Sequence, residues 1–164
     1  MAIQQASPIV LEPVVLIGRG AAAADIAALQ SRSLAALTTD KFATLTSTQL
    51  VGLTSGQIAA LSTAIIGTLD STQLDGFTTS QIASLSSVQL AALTTAAIAS
   101  LDTAQLAAIT TRAIGALKSD QLGALTSAQF DALSTGQLAQ LTSTAIRGLD
   151  SSAIGTLNSA EIAV

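Results

Sequence analysis

The sequence predicts an all-α solenoid of very short helices, one per octapeptide and about two octads per coil, preceded by an extended N-terminal arm. Three observations carry this expectation. From Leu29 to Val164 the chain repeats every eight residues without insertion or deletion, the units share a helix-start signal at the same place, and most close on small residues. Position one is Leu29, Leu37, Leu45, Leu53, Leu61, Leu69, Phe77, Leu85, Leu93, Leu101, Ile109, Leu117, Leu125, Leu133, Leu141, Leu149 and Leu157, which makes seventeen octads. Position three is Ser or Thr throughout, from Ser31 to Ser159, and position six is Leu, Ile or Phe, from Leu34 to Ile162. Positions seven and eight are mostly Ala, Gly, Ser or Thr.

Spacing separates the possible conformations. Large apolar residues recur with gaps of five and then three, which does not match the alternation of a simple strand ladder. One long helix fails too, because eight residues at 100° each advance the face by about 80° per repeat and smear any apolar stripe around the cylinder. A helix that restarts in each octad remains. The alternative is a β-solenoid with the hydroxyl pairs on its strands.

The restart has a mechanism. Thr46 and Gln49 follow the capping-box pattern, in which the hydroxyl accepts from the N3 amide while the Gln side chain reaches back to the N-cap amide. The frame recurs at Thr54/Gln57, Asp70/Gln73, Thr78/Gln81, Ser86/Gln89, Asp102/Gln105, Thr126/Gln129, Ser134/Gln137 and, with Glu, Asn158/Glu161. Asp70, Asp102 and Asp150 also set negative charge beside a helix N-terminus, where the macrodipole favours it. Ala97, Ala113, Ala145 and Ala153 replace the Gln in octads whose position six is Ile98, Ile114, Ile146 and Ile154. Burying two large side chains does not offset the entropy of ordering eight residues, so an octad gains order only by stacking on its neighbours.

A superperiod suggests the coil. The charged position-two residues Asp70, Asp102, Lys118 and Asp150 lie in alternate octads, while Ile66, Ile98, Ile114 and Ile146 fall in the opposite set. Two octads per turn would give about eight coils and, at helix-packing distances, a rod of about 65–85 Å.

The ends differ from the middle. Residues 1–20 read as an extended arm with a glycine joint, and 21–164 as the solenoid, with 21–28 a degenerate first octad around Ile26. Pro8 and Pro13 suit the β-branched stretch from Ser7 to Ile17 to an edge strand. No basic residue precedes it and Glu12 interrupts it, so it does not read as a conventional signal peptide. Gly18-Arg19-Gly20, with Asp40 further on, imitates a dinucleotide loop, but octads follow it in place of a βαβ unit. The last octad, Leu157 to Val164, is an ordinary one and not a polar capping repeat. The assembly residues expected from these ends are Ile9, Val10, Leu11, Val14, Val15, Leu16 and Ile17 on the arm, with Leu157, Ile162 and Val164 on the last octad.

Composition removes other functions. Without His or Cys the chain lacks the usual metal ligands, the usual general base and the thiol nucleophile, so neither an enzyme nor a cofactor or metal is expected. Six scattered basic residues and no Tyr or Trp disfavour nucleic acid, and no apolar run reaches membrane-spanning length. No small-molecule substrate is expected.

Leu53-Thr54-Ser55-Gly56-Gln57-Ile58-Ala59-Ala60 is similar over eight residues to the capped first helix of TAL-effector repeats, but their longer period and base-reading loop are missing. Over residues 29–164 the chain resembles the LTxxQLAAL-type octapeptide tracts of large bacterial surface and secreted proteins. That resemblance implies an extracellular or cell-surface, structural or adhesive role. The expectation is a structural protein that associates with itself head to tail into a filament. The alternatives are a monomeric adhesin or binding module, with its ligand on a surface including Arg112, Asp131 and Arg147, or a hydroxyl surface for ice or glycans.

Overall fold

Each described helix starts at the third residue of its octad because the second residue is extended and, in most octads, its side chain is a ready acceptor for the first-turn amides. The computed structural model of the chain describes residues 22–29, 33–34, 37–149 and 155. Within them run α1 (Ala23–Ala27), α2 (Thr39–Ala43), α3 (Ser47–Leu50), α4 (Ser55–Ala59) and α5 (Thr63–Ile66). Next come α6 (Ser71–Asp75), α7 (Thr79–Ala83), α8 (Ser87–Leu90), α9 (Thr95–Ala99) and α10 (Thr103–Ala108). They are followed by α11 (Thr111–Ile114), α12 (Ser119–Gly123), α13 (Ser127–Asp131), α14 (Thr135–Leu138) and α15 (Ser143–Ile146). No strand occurs among the described residues, so the all-α solenoid holds there and the β-solenoid does not. The arm expected over residues 1–20 lies outside the described residues.

The caps are those the sequence predicts. Thr54, at φ −73° and ψ 156°, accepts the Gln57 amide on its hydroxyl at 3.2 Å, and Gln57 Oε1 accepts the Thr54 N–H at 2.7 Å. Asp70 and Asp102 cap α6 and α10 through carboxylates that accept the Gln73 and Gln105 amides at 2.8 and 2.7 Å. Each helix ends by tightening: the Leu53 N–H donates to the Leu50 carbonyl at 3.0 Å, and the same three-residue bond recurs at every described position one. The next residue is already the extended N-cap of the following helix.

Three described N-caps, Ala22, Thr38 and Lys118, make no side-chain cap bond, and Lys118 is the one that adds a charge. Lys118 at the start of α12 offers no side-chain acceptor, and Asp120 Oδ1 accepts the Gln121 amide instead, at 3.0 Å. A cation at a helix N-terminus also opposes the dipole. Lys118→Thr is expected to stabilise the chain by about 0.5–1 kcal/mol, read as a rise in thermal midpoint.

Helices stack three octads apart. One column is α4, α7, α10 and α13; a second is α2, α5, α8, α11 and α14; the third is α1, α3, α6, α9, α12 and α15. A coil therefore holds three octads, 24 residues, and the two-octad coil expected from the charge pattern is corrected. Two helices per coil would require near-reversal at each turn, whereas the tight one-octad turn redirects the chain by about 120°, a third of a circle. Asp70, Asp102 and Lys118, the alternating charges among the described residues, sit on exposed N-caps, which do not set that angle. The same octads make about two-thirds as many coils as expected, and the length derived from eight coils falls with them.

The core runs along the axis. Position-one and position-six residues from all three columns fill it, with Leu50, Ile58, Ile66, Leu74, Leu90, Ile98 and Leu106 fully buried. Phe42, Phe77 and Phe130 occupy the same positions as the aliphatic residues. Small residues at the turns permit close stacking: a Cβ at Gly52 would collide with the Ala23 carbonyl of the preceding coil, whereas one at Gly56 would meet nothing. Gly52→Ala is expected to cost about 1–3 kcal/mol, and Gly56→Ala to gain about 0.5–1 kcal/mol, by urea denaturation of each variant.

Candidate functional site

The feature that joins one coil to the next is a buried carboxamide. Gln57, Gln73, Gln81, Gln89, Gln105, Gln121, Gln129 and Gln137 are all buried at position five. Each serves two coils. Gln81 Oε1 accepts the Thr78 N–H at 2.8 Å, while its Nε2 donates to the Leu53, Leu50 and Val51 carbonyls at 2.7, 2.9 and 3.3 Å. Those carbonyls lie in the turn from α3 into α4, the helix beneath α7. Helix ends leave N–H and C=O groups without intrahelical partners. One side chain here answers both deficits, an amide above and carbonyls below.

The geometry repeats closely. The bond to the carbonyl 28 residues earlier measures 2.6 Å for Gln57 and Gln129, 2.7 Å for Gln73, Gln105 and Gln121, and 2.8 Å for Gln89 and Gln137. A neutral amide is the one common side-chain group that supplies both an acceptor and a two-hydrogen donor. Capping alone would accept Glu as readily as Gln. The uniform choice of Gln at these corners is the signal in the sequence that points beyond capping, and reading Gln as a cap alone misses its bond to the coil below.

Apart from α1 and α2, which carry Asp25 and Lys41 at position five, four described helices lack this link. Ile65, Ala97, Ala113 and Ala145 keep the hydroxyl cap, their amides donating to Ser62, Thr94, Thr110 and Thr142 at 3.1–3.3 Å, but have no carboxamide to reach the coil below. In the column of α4 every corner carries Gln. In the other two columns it is interrupted: Ile65, Gln89, Ala113, Gln137 along one and Gln73, Ala97, Gln121, Ala145 along the other. Combined with three-octad coils, the two-octad alternation read in the sequence appears, from α5 and α6 upward, as a link present at every second coil of those columns, with Gln49 at the α3 corner below Gln73 standing outside the alternation.

The remaining candidates distribute as follows. Ile9, Val10, Leu11, Val14, Val15, Leu16, Ile17, Leu157, Ile162 and Val164 lie outside the described residues, as does the Gly18–Gly20 motif. Asp40 stands exposed in the first turn of α2. Arg112, Asp131 and Arg147 are exposed on α11, α13 and the end of α15, in three different columns, and form no single patch. Val51, Val88 and Ile146 are the large apolar side chains exposed among the described residues. No three His, Cys, Asp or Glu side chains converge among the described residues, and none of the described helices is long and apolar enough to cross a membrane. From Thr46 to Thr142 the described position-two hydroxyls are engaged in caps, whereas Thr38 makes no side-chain cap bond, and Ser55 and Ser87 at position three donate to carbonyls of the next coil, Ser80 and Arg112, both at 3.3 Å.

A family model described as the ALTTAQ repeat matches residues 52–87, 87–119, 98–135 and 112–143. The four stretches overlap because the pattern returns to register every eight residues. Together they span 52–143, more than half of the chain. No curated protein and no solved structure matches it.

Proposed function

We propose, from the premise that the chain belongs to the ALTTAQ repeat family, that it is a structural protein whose copies join head to tail into a filament outside the cell. One observation supports the joining above the rest. The surface each coil presents upward is received by the next coil through the same stacked helices and the same Gln-to-carbonyl bonds along the described chain. Such an interface is heterologous: its two halves differ and complement each other, so a second copy placed at the end of the first extends the series without closing it. The arm formed by residues 1–20 would strengthen the joint by adding to a neighbouring copy. The extracellular setting rests on the resemblance of the octads to tracts in bacterial surface and secreted proteins.

Electron microscopy and sedimentation of the purified chain over a rising concentration series test this reading. Filaments one solenoid wide are expected, and removal of residues 1–20 should shorten or abolish them. Short monodisperse particles at the highest concentration would refute it.

A further inference from the structure

The three-octad coil sorts the charges by face. The face of α5, α8, α11 and α14 has one charged residue, Arg112, in its four octads, 61–68, 85–92, 109–116 and 133–140. The face of α4, α7, α10 and α13 carries Asp102 and Asp131 in its octads and no Lys or Arg. On the third face, from α6 to α15, acids are mixed with Lys118 and Arg147. Arg112 and Asp131 are both exposed, and neither has an ion partner among the described residues. The winding keeps them on different faces of one chain. Each has a neighbour one coil below it. Val88, 66% exposed, precedes Arg112 by 24 residues, and the two line a groove of about 400 Å³ between α8 and α11. Ala107, also exposed, precedes Asp131 by the same 24 residues. Both pairs therefore span the same step along the axis.

We propose that these two faces dock a second copy of the chain side by side, Arg112 of one copy against Asp131 of the other. With the copies parallel, the equal step sets Val88 on Ala107, an apolar knob over a methyl group; run antiparallel, Val88 would lie on the far side of Asp131, away from Ala107. Charge selects the pairing. Two like faces would set Arg112 against Arg112 or Asp131 against Asp131, and the mixed third face would bring Lys118 or Arg147 toward Arg112. The contact is lateral and uses neither end of the solenoid. One exposed ion pair contributes little by itself. Its strength rests on the filament reading, because copies joined end to end repeat the contact once per chain and many weak contacts act together.

Because the chain has no Cys, introduced thiols report the contact without interference. Val88→Cys chains mixed with Ala107→Cys chains, at low salt and under mild oxidation, are expected to form mixed disulfide dimers about tenfold faster than either variant couples with itself. Salt at about 0.5 M should remove that excess, and so should Arg112→Glu in the Val88→Cys chain. Adding Asp131→Lys to the Ala107→Cys chain should then restore it, since opposite charges face each other again. Asp131→Lys alone brings the net charge of −4 closer to zero and should nevertheless remove the excess, which separates this pairing from a general loss of repulsion. All four positions are exposed, and an unchanged circular dichroism spectrum verifies that each variant keeps the fold. Micrographs of the same samples read filament length separately. Mixed dimers between short particles would leave the lateral contact standing and refute the filament. Absence of the excess, with or without filaments, overturns the lateral contact, as does an excess that survives Arg112→Glu or fails to return with Asp131→Lys.

Discussion

Gln81→Glu is expected to lower the unfolding free energy at neutral pH by about 3–5 kcal/mol, although the two side chains are nearly isosteric. The Thr78 N–H would still find an acceptor. The other carboxylate oxygen, however, would face the Leu53, Leu50 and Val51 carbonyls, now within 2.7–3.3 Å of a donating Nε2, inside a corner that is 2% exposed. Desolvation and three opposed dipoles both disfavour the charged form, so the folded carboxyl would titrate above the ordinary value of about 4.3. The folded variant then holds more protons than its unfolded chain between those two values, and its stability rises as pH falls. Once protonated, the carboxyl can donate one hydrogen bond where Gln donated from two hydrogens. Urea denaturation of variant and parent at pH 7 and near pH 4 should show the deficit shrinking at the lower pH. An equal deficit at both would mean that the Nε2 bonds do not hold the coils together.

Leu90→Ala should cost about 2–5 kcal/mol. Leu90 is fully buried at position six of α8, in the middle of the described solenoid, where α8 is packed between α5 and α11. The void has few ways to collapse, because its neighbours are tied by caps and by the Gln121 bond to the Leu90 carbonyl, 3.4 Å long. Contacts run only between adjacent coils, so the loss weakens one interface and leaves the others intact. The expected result is a lower urea midpoint with a shallower transition as the two halves uncouple. Far-ultraviolet circular dichroism is the natural probe, since the chain has neither Trp nor Tyr.

The sequence reveals the helices more completely than it reveals their winding. The octad, the capping pairs from Thr46/Gln49 to Ser134/Gln137, and burial at positions one and six are properties of single units, written in residues one to six places apart. The number of octads per coil depends on the angle of each turn. No residue type encodes that angle by itself, and Asp70, Asp102 and Lys118 at exposed N-caps carry a real alternation that is unrelated to it. The Gln corners fall between these cases. Thr78 and Gln81 announce the upper half of the bracket by their spacing, but the lower half joins Gln81 to Leu53, 28 residues back, and that separation becomes readable only when the coil length is known. Ala113 is similar: in sequence it is one good helix former among many, and in three dimensions it is the absence of a side chain that two coils would otherwise share.

Coils that touch only their immediate neighbours have a bearing on heredity. A deletion or duplication of 24 residues in such a chain removes or adds one complete storey and leaves every surviving contact with a partner of its own kind. A change of eight residues is tolerable as well, since it rotates the downstream part by one side of the triangle and sets Gln81 or its counterpart over a different but equivalent turn. Genes for rods of this design are therefore free to drift in length by unequal exchange between their own repeats, and selection on reach can act without redesigning a single interface.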